Sequence, residues 1–393
     1  MLKGQCLKPW DGRQYGSLCY NDIQPLYSVR GIQAGDFPYV DASLEEGEGL
    51  TNGAIEYPVL TGLFMWFVGT FVSDDPNAYL RASAIALSPF GLLTTLWLAR
   101  RAGLRALMWA AAPAIVLYAF HNWDLLVVAA AVAGFVLWFN GRFTWAAVLF
   151  GIGAALKMYP IFFLGPLFLE RWVAADRKGA VRAVLVGVGT FAVINLPFVL
   201  INFEGWWATY EFHQLRGPNY DSFWQIRFPQ LAPPDVNRIS AALTLGSFGI
   251  ALVVGLFRAR SEGRYPFVQT CGALLAGFLL WNKVHSPQYT LWLLPFFVLL
   301  SVSVVWWVAY SAVDILVYVG IFRFLYETFH RHVAEEEAYM AMKWGVYLRA
   351  VLLAALFVIF LLSKRADEAE AEDAEEVSHP PPKVEAVGES APA

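Results

Sequence analysis

Charge is scarce in this chain. Only 15% of its 393 residues are Asp, Glu, Lys or Arg, and 58% are hydrophobic; soluble domains carry about 25% and 45–50%. With a mean hydropathy of +0.49, that scarcity excludes a soluble globular enzyme and a disordered chain. Cysteine is nearly absent. The three present, Cys6, Cys19 and Cys271, exclude a disulfide framework. Cys271 lies in an apolar run and reads as inert packing. Cys6 and Cys19 lie in a polar segment and are expected to close one small loop if that segment faces outward. An Asp-x-Asp nucleotide-sugar motif, a phosphate-cradling glycine loop and Cys/His metal spacing are all missing. No nucleic-acid partner is expected.

What is abundant is long apolar runs, and about 20 such residues suffice for one bilayer crossing. Runs bounded by charges fall at 79–99, 106–120, 124–139, 143–170, 181–201, 239–257, 265–282, 287–302, 303–323 and 342–363. Between them lie basic clusters: Arg100, Arg101 and Arg105; Arg142; Arg171, Arg177, Lys178 and Arg182; Arg258, Arg260 and Arg264; Lys364 and Arg365. The positive-inside rule puts all of these in the cytoplasm. Parity then requires 143–170 to enter and leave as a hairpin. As one helix its length of roughly 42 Å would overrun a hydrocarbon core of about 30 Å. The natural break is Lys157-Met158-Tyr159-Pro160, since proline cannot continue the hydrogen-bond ladder.

The predicted architecture is an all-α polytopic membrane protein, a bundle of about 11 transmembrane segments. Residues 1–78 form an extracytoplasmic first loop with a juxtamembrane helix over 57–72. An N-terminal transmembrane module covers 79–201, an outer loop 202–238 and a C-terminal module 239–363. Residues 364–393 read as a disordered acidic cytoplasmic tail. From Ala366 onward there are nine acids and one base, Lys383, so the tail carries −8 and the remainder +4. A translocated first loop with no span before it implies a reading frame that starts upstream and supplies a first helix.

Ionisable groups at membrane depth are expensive and mark functional sites. Lys157, at the hairpin break, reads as a cation for a phosphate group or as a side chain snorkelling to the interface. Asp124 opens a helix after Asn122, where an acid also suits the helix dipole. Lys283 and His285 crowd a short outer turn, Trp281 to Tyr289, which also holds Gln288; they read as an anion site. Asp314 and Arg349 lie in late helices, as a buried pair or facing a cavity. The first loop holds Asp22, Tyr27 and Arg30 and runs into Glu56-Tyr57-Pro58. The loop 202–238 adds Trp206, Trp207, Tyr210, Tyr220 and Trp224, whose rings either stack on sugars or form an interfacial belt.

The order of these parts resembles the GT-C superfamily of membrane glycosyltransferases, and more narrowly glycosyltransferase family 87, the polyprenol-phosphate-mannose-dependent α-mannosyltransferases of actinobacteria. The resemblance is carried by Asn21-Asp22-Ile23-Gln24-Pro25-Leu26-Tyr27, Glu56-Tyr57-Pro58, Asn122–Asp124, Leu156-Lys157-Met158-Tyr159-Pro160 and Lys283-Val284-His285-Ser286-Pro287-Gln288-Tyr289. It covers nearly all of residues 15–325. It implies a polyprenyl-phosphate sugar donor, a glycolipid or glycan acceptor and an active site on the outer face of a bacterial plasma membrane. It also implies that Asp22 is the general base. Lys157, Lys283, His285 and Arg30 would then hold the donor phosphate, with Asn122, Asp124, Tyr27, Glu56, Tyr57, Gln288 and Tyr289 as further polar candidates. Neither a cofactor nor a metal is expected; a divalent ion bridging Asp22 and the phosphate has no support in the sequence. The rival reading is a lipid or glycan transporter or flippase. Such proteins commonly carry internal repeats, and none is evident here.

Overall fold

Backbone in hydrocarbon must satisfy its own hydrogen bonds, which leaves helices as the way for such a chain to fold. The computed structural model describes residues 2–5, 12–45, 49–332, 336–369 and 371–372. A 3-10 turn, Leu2–Gln5, precedes α1 (Arg13–Gly16) and α2 (Ile23–Val29). Strands β1 (Ser43–Glu45) and β2 (Gly49–Thr51) then pair antiparallel, Leu44 opposite Leu50. Next come α3 (Val59–Gly69), α4 (Pro76–Ala102), α5 (Leu107–Ala110), α6 (Pro113–Tyr118), α7 (Asp124–Phe139) and α8 (Phe143–Leu156). A 3-10 segment, Tyr159–Phe163, leads into α9 (Leu164–Val173), α10 (Arg177–Ile201), α11 (Phe203–Leu215) and α12 (Phe223–Arg227). The chain finishes with α13 (Pro233–Glu262), α14 (Phe267–Trp281), α15 (Thr290–Leu299), α16 (Val304–Tyr326) and α17 (Glu336–Leu362).

Helix length and burial sort these elements into two layers. Five units among the described residues are long and apolar enough to cross a membrane: Pro76–Ala110, Arg177–Ile201, Pro233–Glu262, Val304–Arg331 and Glu336–Leu362. They present exposed apolar side chains outward, such as Leu185 and Val193 on α10, Leu245 and Phe257 on α13, and Val351 on α17. The shorter α7, α14 and α15 are apolar and buried along most of their lengths, as helices enclosed by others must be. Helices α8 and α10 cross closely, because Gly151 faces Gly187. A Cβ on Gly151 would lie 2.4 Å from the Gly187 carbonyl oxygen. The chain is thus an all-α polytopic membrane protein.

Two expectations need correction. Residues 106–120 do not form one helix. The segment is divided between α5 and α6, where Pro113 starts a new helix, and just before it Arg105 turns back to donate to the carbonyls of Phe297, Leu300 and Val302 at 2.9, 2.6 and 3.0 Å. The acidic tail does not begin as free, disordered chain either. Asp367 pairs with Arg101 and with Arg365 (3.2 Å), Glu368 with Arg264, and Glu372 with Lys364.

These contacts gather the clusters at 100–105, 258–264 and 364–365 at one end of the bundle. Helix α7 spans the distance to the other end. The ring of Phe139, at its C-terminus, lies 3.7 Å under Arg101, and Asp124, at its N-terminus, sits at the far end of this 16-residue helix, about 22 Å along the axis.

Candidate active site

At the Asp124 end, a cavity of about 1070 Å³ opens between the first loop, the break after α8, the 209–221 segment and the α14–α15 turn. Its walls include Asp22, Glu56, Tyr57, Lys157, Arg216, Lys283, Gln288 and Tyr289.

Asp22 stands before α2, where an acid would ordinarily cap the helix. Asn21 takes that duty instead: its Oδ1 accepts the Gln24 amide at 3.0 Å. The Asp22 carboxylate is thereby left for the cavity. Its own amide donates to the His121 carbonyl at 2.7 Å, which ties the first loop to the turn before α7. Enclosure by protein pushes the Asp22 carboxyl up to about 6. A hydrogen bond from Tyr20 pulls it back, Glu56 pushes it up, Lys157 lowers it and Asp124 raises it. Titration near neutrality is what a general base needs.

Lys157 ends α8 in an extended conformation, with φ of −163°. Pro160 follows, and the chain resumes as a 3-10 turn. The break lets the ammonium reach Asp124 Oδ1 at 2.7 Å. Trp292 Nε1 donates to the same oxygen at 2.8 Å. Around the ammonium lie the rings of Tyr57, Tyr289 and Trp292, at 5.4, 4.8 and 5.0 Å, attracted through their π faces. Asn122 supports both sides: its Oδ1 accepts the Asp124 amide at 3.0 Å and its Nδ2 donates to Tyr57 Oη at 3.4 Å.

Lys283 lies farther along the wall, its ammonium donating to the carbonyls of Arg216 at 2.6 Å and Gln214 at 3.2 Å. Burial, then Arg216, pull Lys283 down to about 8. Arg216 was not singled out from the sequence. It donates to Asn219 Oδ1 at 2.6 Å and lines the cavity with its neighbours. The aromatic content of 202–238 was the available signal, but it did not separate Tyr210 and Tyr220, which line the cavity, from Trp206 and Trp207, which do not.

Three expected residues lie elsewhere. Arg30 forks onto Glu56, at 2.7 and 3.3 Å, and lines a separate small cleft. It reaches the main cavity only through Glu56. His285 is buried behind the wall, with Nδ1 3.0 Å from the Leu279 carbonyl and Nε2 unpartnered among the described residues. Burial holds it well below its ordinary value, so it is neutral there. Tyr27 is packing: it stacks on Tyr79, centroids 4.2 Å apart. Asp314 and Arg349 do not pair. Asp314 accepts from Thr290 at 2.7 Å, and Arg349 donates to the Asp221 carbonyl at 2.5 Å. The Cys6–Cys19 expectation involves Cys6, which lies outside the described residues. No group of three or more His, Cys, Asp or Glu with metal-binding geometry occurs among the described residues.

The cavity therefore brings the Asp22 carboxylate, of raised proton affinity, together with the cationic side chains of Lys157, Arg216 and Lys283 at one end of a membrane bundle. No curated protein matches this chain. The family model of glycosyltransferase family 87 matches residues 56–281, more than half of the chain, starting at Glu56 and so leaving Asp22 and Lys283 outside the matched segment. The chain belongs to glycosyltransferase family 87, and with it to the membrane glycosyltransferases.

Proposed function

We propose that this protein transfers a sugar, mannose in the first instance, from a polyprenyl-phosphate donor to a lipid-linked or cell-envelope glycan on the outer face of a bacterial plasma membrane. The observation that carries this reading is the shared cavity: Asp22, Lys157, Arg216 and Lys283 all line it. The Asp22 carboxylate takes the proton of an acceptor hydroxyl as that oxygen attacks the anomeric carbon. The bond from that carbon to the phosphate oxygen breaks, and its electron pair leaves on the phosphate. Lys157, Arg216 and Lys283 face the growing negative charge, each such contact being worth about 3 kcal/mol in the transition state. Phosphate is a good leaving group, so one carboxylate suffices where a hydrolase uses two. Attack opposite the leaving phosphate inverts the anomeric centre.

The test is transfer from radiolabelled polyprenyl-phosphate mannose to lipid acceptors by the purified protein. A new labelled glycoside is expected from the wild type and none from Asp22→Asn, with both proteins folded. Turnover by Asp22→Asn, or movement of the labelled lipid between leaflets with its sugar bond intact, would overturn the proposal.

A further inference from the structure

Behind Asp22 lies a cation that the reaction above does not use. Lys3 is only 1% exposed. Its ammonium donates to the Tyr20 carbonyl at 2.7 Å and to the Tyr318 hydroxyl at 2.9 Å, and meets His121 Nδ1 at 3.3 Å. The rings of Tyr318 and Phe322 flank it at 5.2 and 6.0 Å. Among the described residues no carboxylate comes within ion-pair distance of it. A buried ammonium without a carboxylate partner is costly, so its placement calls for a reason.

The reason lies in what its partners touch. Tyr20 hydrogen-bonds the Asp22 carboxylate through its side chain, while Lys3 holds the Tyr20 backbone. His121 accepts the Asp22 amide through its carbonyl, while Lys3 holds its ring. The two residues that fix Asp22 thus meet on one ammonium. Tyr20 is itself clamped between Tyr15, at 5.1 Å, and Phe322, at 5.6 Å. The electrostatics agree: burial pulls Lys3 down to about 7, and Asp22 pulls it back up. That attraction is mutual by Coulomb's law.

Resting on the reading of Asp22 as the base, we propose that Lys3 is a positioning residue for it. Lys3 holds Tyr20 and His121 in the arrangement that aims the carboxylate, and its positive charge favours the ionised form. The other groups facing Asp22 are Tyr15 from α1, Tyr20, Glu56 and Tyr57 before α3, His121, Asp124 opening α7, and Lys157 closing α8. Glu56 and Asp124 oppose ionisation of Asp22 and Lys157 favours it; Lys3 is the further cation that the proposal adds to that balance.

The test is the pH dependence of kcat/KM for the full chain in lipid nanodiscs. Removing positive charge disfavours the carboxylate, so Lys3→Gln shifts the acidic limb of the profile upward by about one pH unit. On that limb the rate drops about tenfold, and at high pH it recovers. Lys3→Arg keeps the limb at the wild-type position. Tyr20→Phe, which spares the Lys3 contacts, also moves the limb upward. A rate lowered evenly at every pH with an unmoved limb would overturn the proposal, as would wild-type profiles in Lys3→Gln and Tyr20→Phe. If Lys3→Gln fails to fold, Lys3→Met, which keeps an unbranched stem in the buried site and removes the charge, is read for the same upward shift, and an unmoved limb there overturns the proposal. Asp22→Asn separates the two readings: its full activity would remove the base assignment, whereas its inactivity beside an unmoved limb in the Lys3 and Tyr20 variants would remove only the role of Lys3.

Discussion

A carboxylate at the wall of a membrane cavity is held in a state that folding alone would not choose. The Asp22 carboxyl titrates near 6, above its ordinary value, chiefly through burial. The folded protein therefore binds the Asp22 proton more tightly than the unfolded chain does. As pH rises from the ordinary carboxyl range through about 6, ionisation destabilises the fold, and the penalty is complete above it. Asp22→Asn is expected to melt at a higher temperature than the wild type at pH 8, with the difference vanishing below pH 4; calorimetry in detergent at the two values measures it. A neighbouring prediction concerns Asp124, whose one oxygen serves both Lys157 and Trp292. Asp124→Asn leaves a half-buried ammonium without its counter-ion. It is expected to cost about 2 kcal/mol of stability and to raise the donor KM more than the acceptor KM, which steady-state kinetics with each substrate varied will show. Lys157 was legible in the sequence because charge stands out against apolar runs, whereas Asp22, in a polar loop, was singled out through the family resemblance. Arg216 and Lys3 were not, since each sits in a polar stretch where a base is ordinary and only the folded chain reveals what surrounds it.

Elements follow from periodicity and punctuation, and they were legible to the degree that punctuation was strong. Pro160 after Lys157 marks the break in the 143–170 hairpin, and the structure places helix, 3-10 turn and helix there in turn. The 106–120 run misled because length and hydropathy cannot show that Arg105 draws the chain toward the end of α15. The close α8–α10 crossing was also invisible, since Gly151 and Gly187 are separated by 36 positions of unremarkable apolar sequence. Gly151→Val is expected to force the two helices apart and cost about 1–3 kcal/mol, read as a lower unfolding temperature. Gly189, on α10 and with nothing within 4 Å of an added Cβ, provides the control: Gly189→Val should change it little.

At the scale of the whole molecule, the basic clusters and the cavity occupy opposite ends, which makes orientation testable. Ala34 in the first loop and Ala174 after α9 are both exposed. In intact cells a membrane-impermeant maleimide is expected to label Ala34→Cys and to spare Ala174→Cys until the membrane is opened, with the unmodified chain as the blank. The reverse pattern would place the cavity in the cytoplasm. The acidic residues docked on the arginines matter here for a reason of timing. Arg101 leaves the ribosome 266 residues before Asp367, and Arg264 leaves 104 residues before Glu368. While the helices are being threaded, their flanking guanidinium groups are bare and can instruct the insertion machinery. The carboxylates that pair with them are synthesised only after the final helix is complete, so those pairs can fasten the chain's end only once every helix has been made.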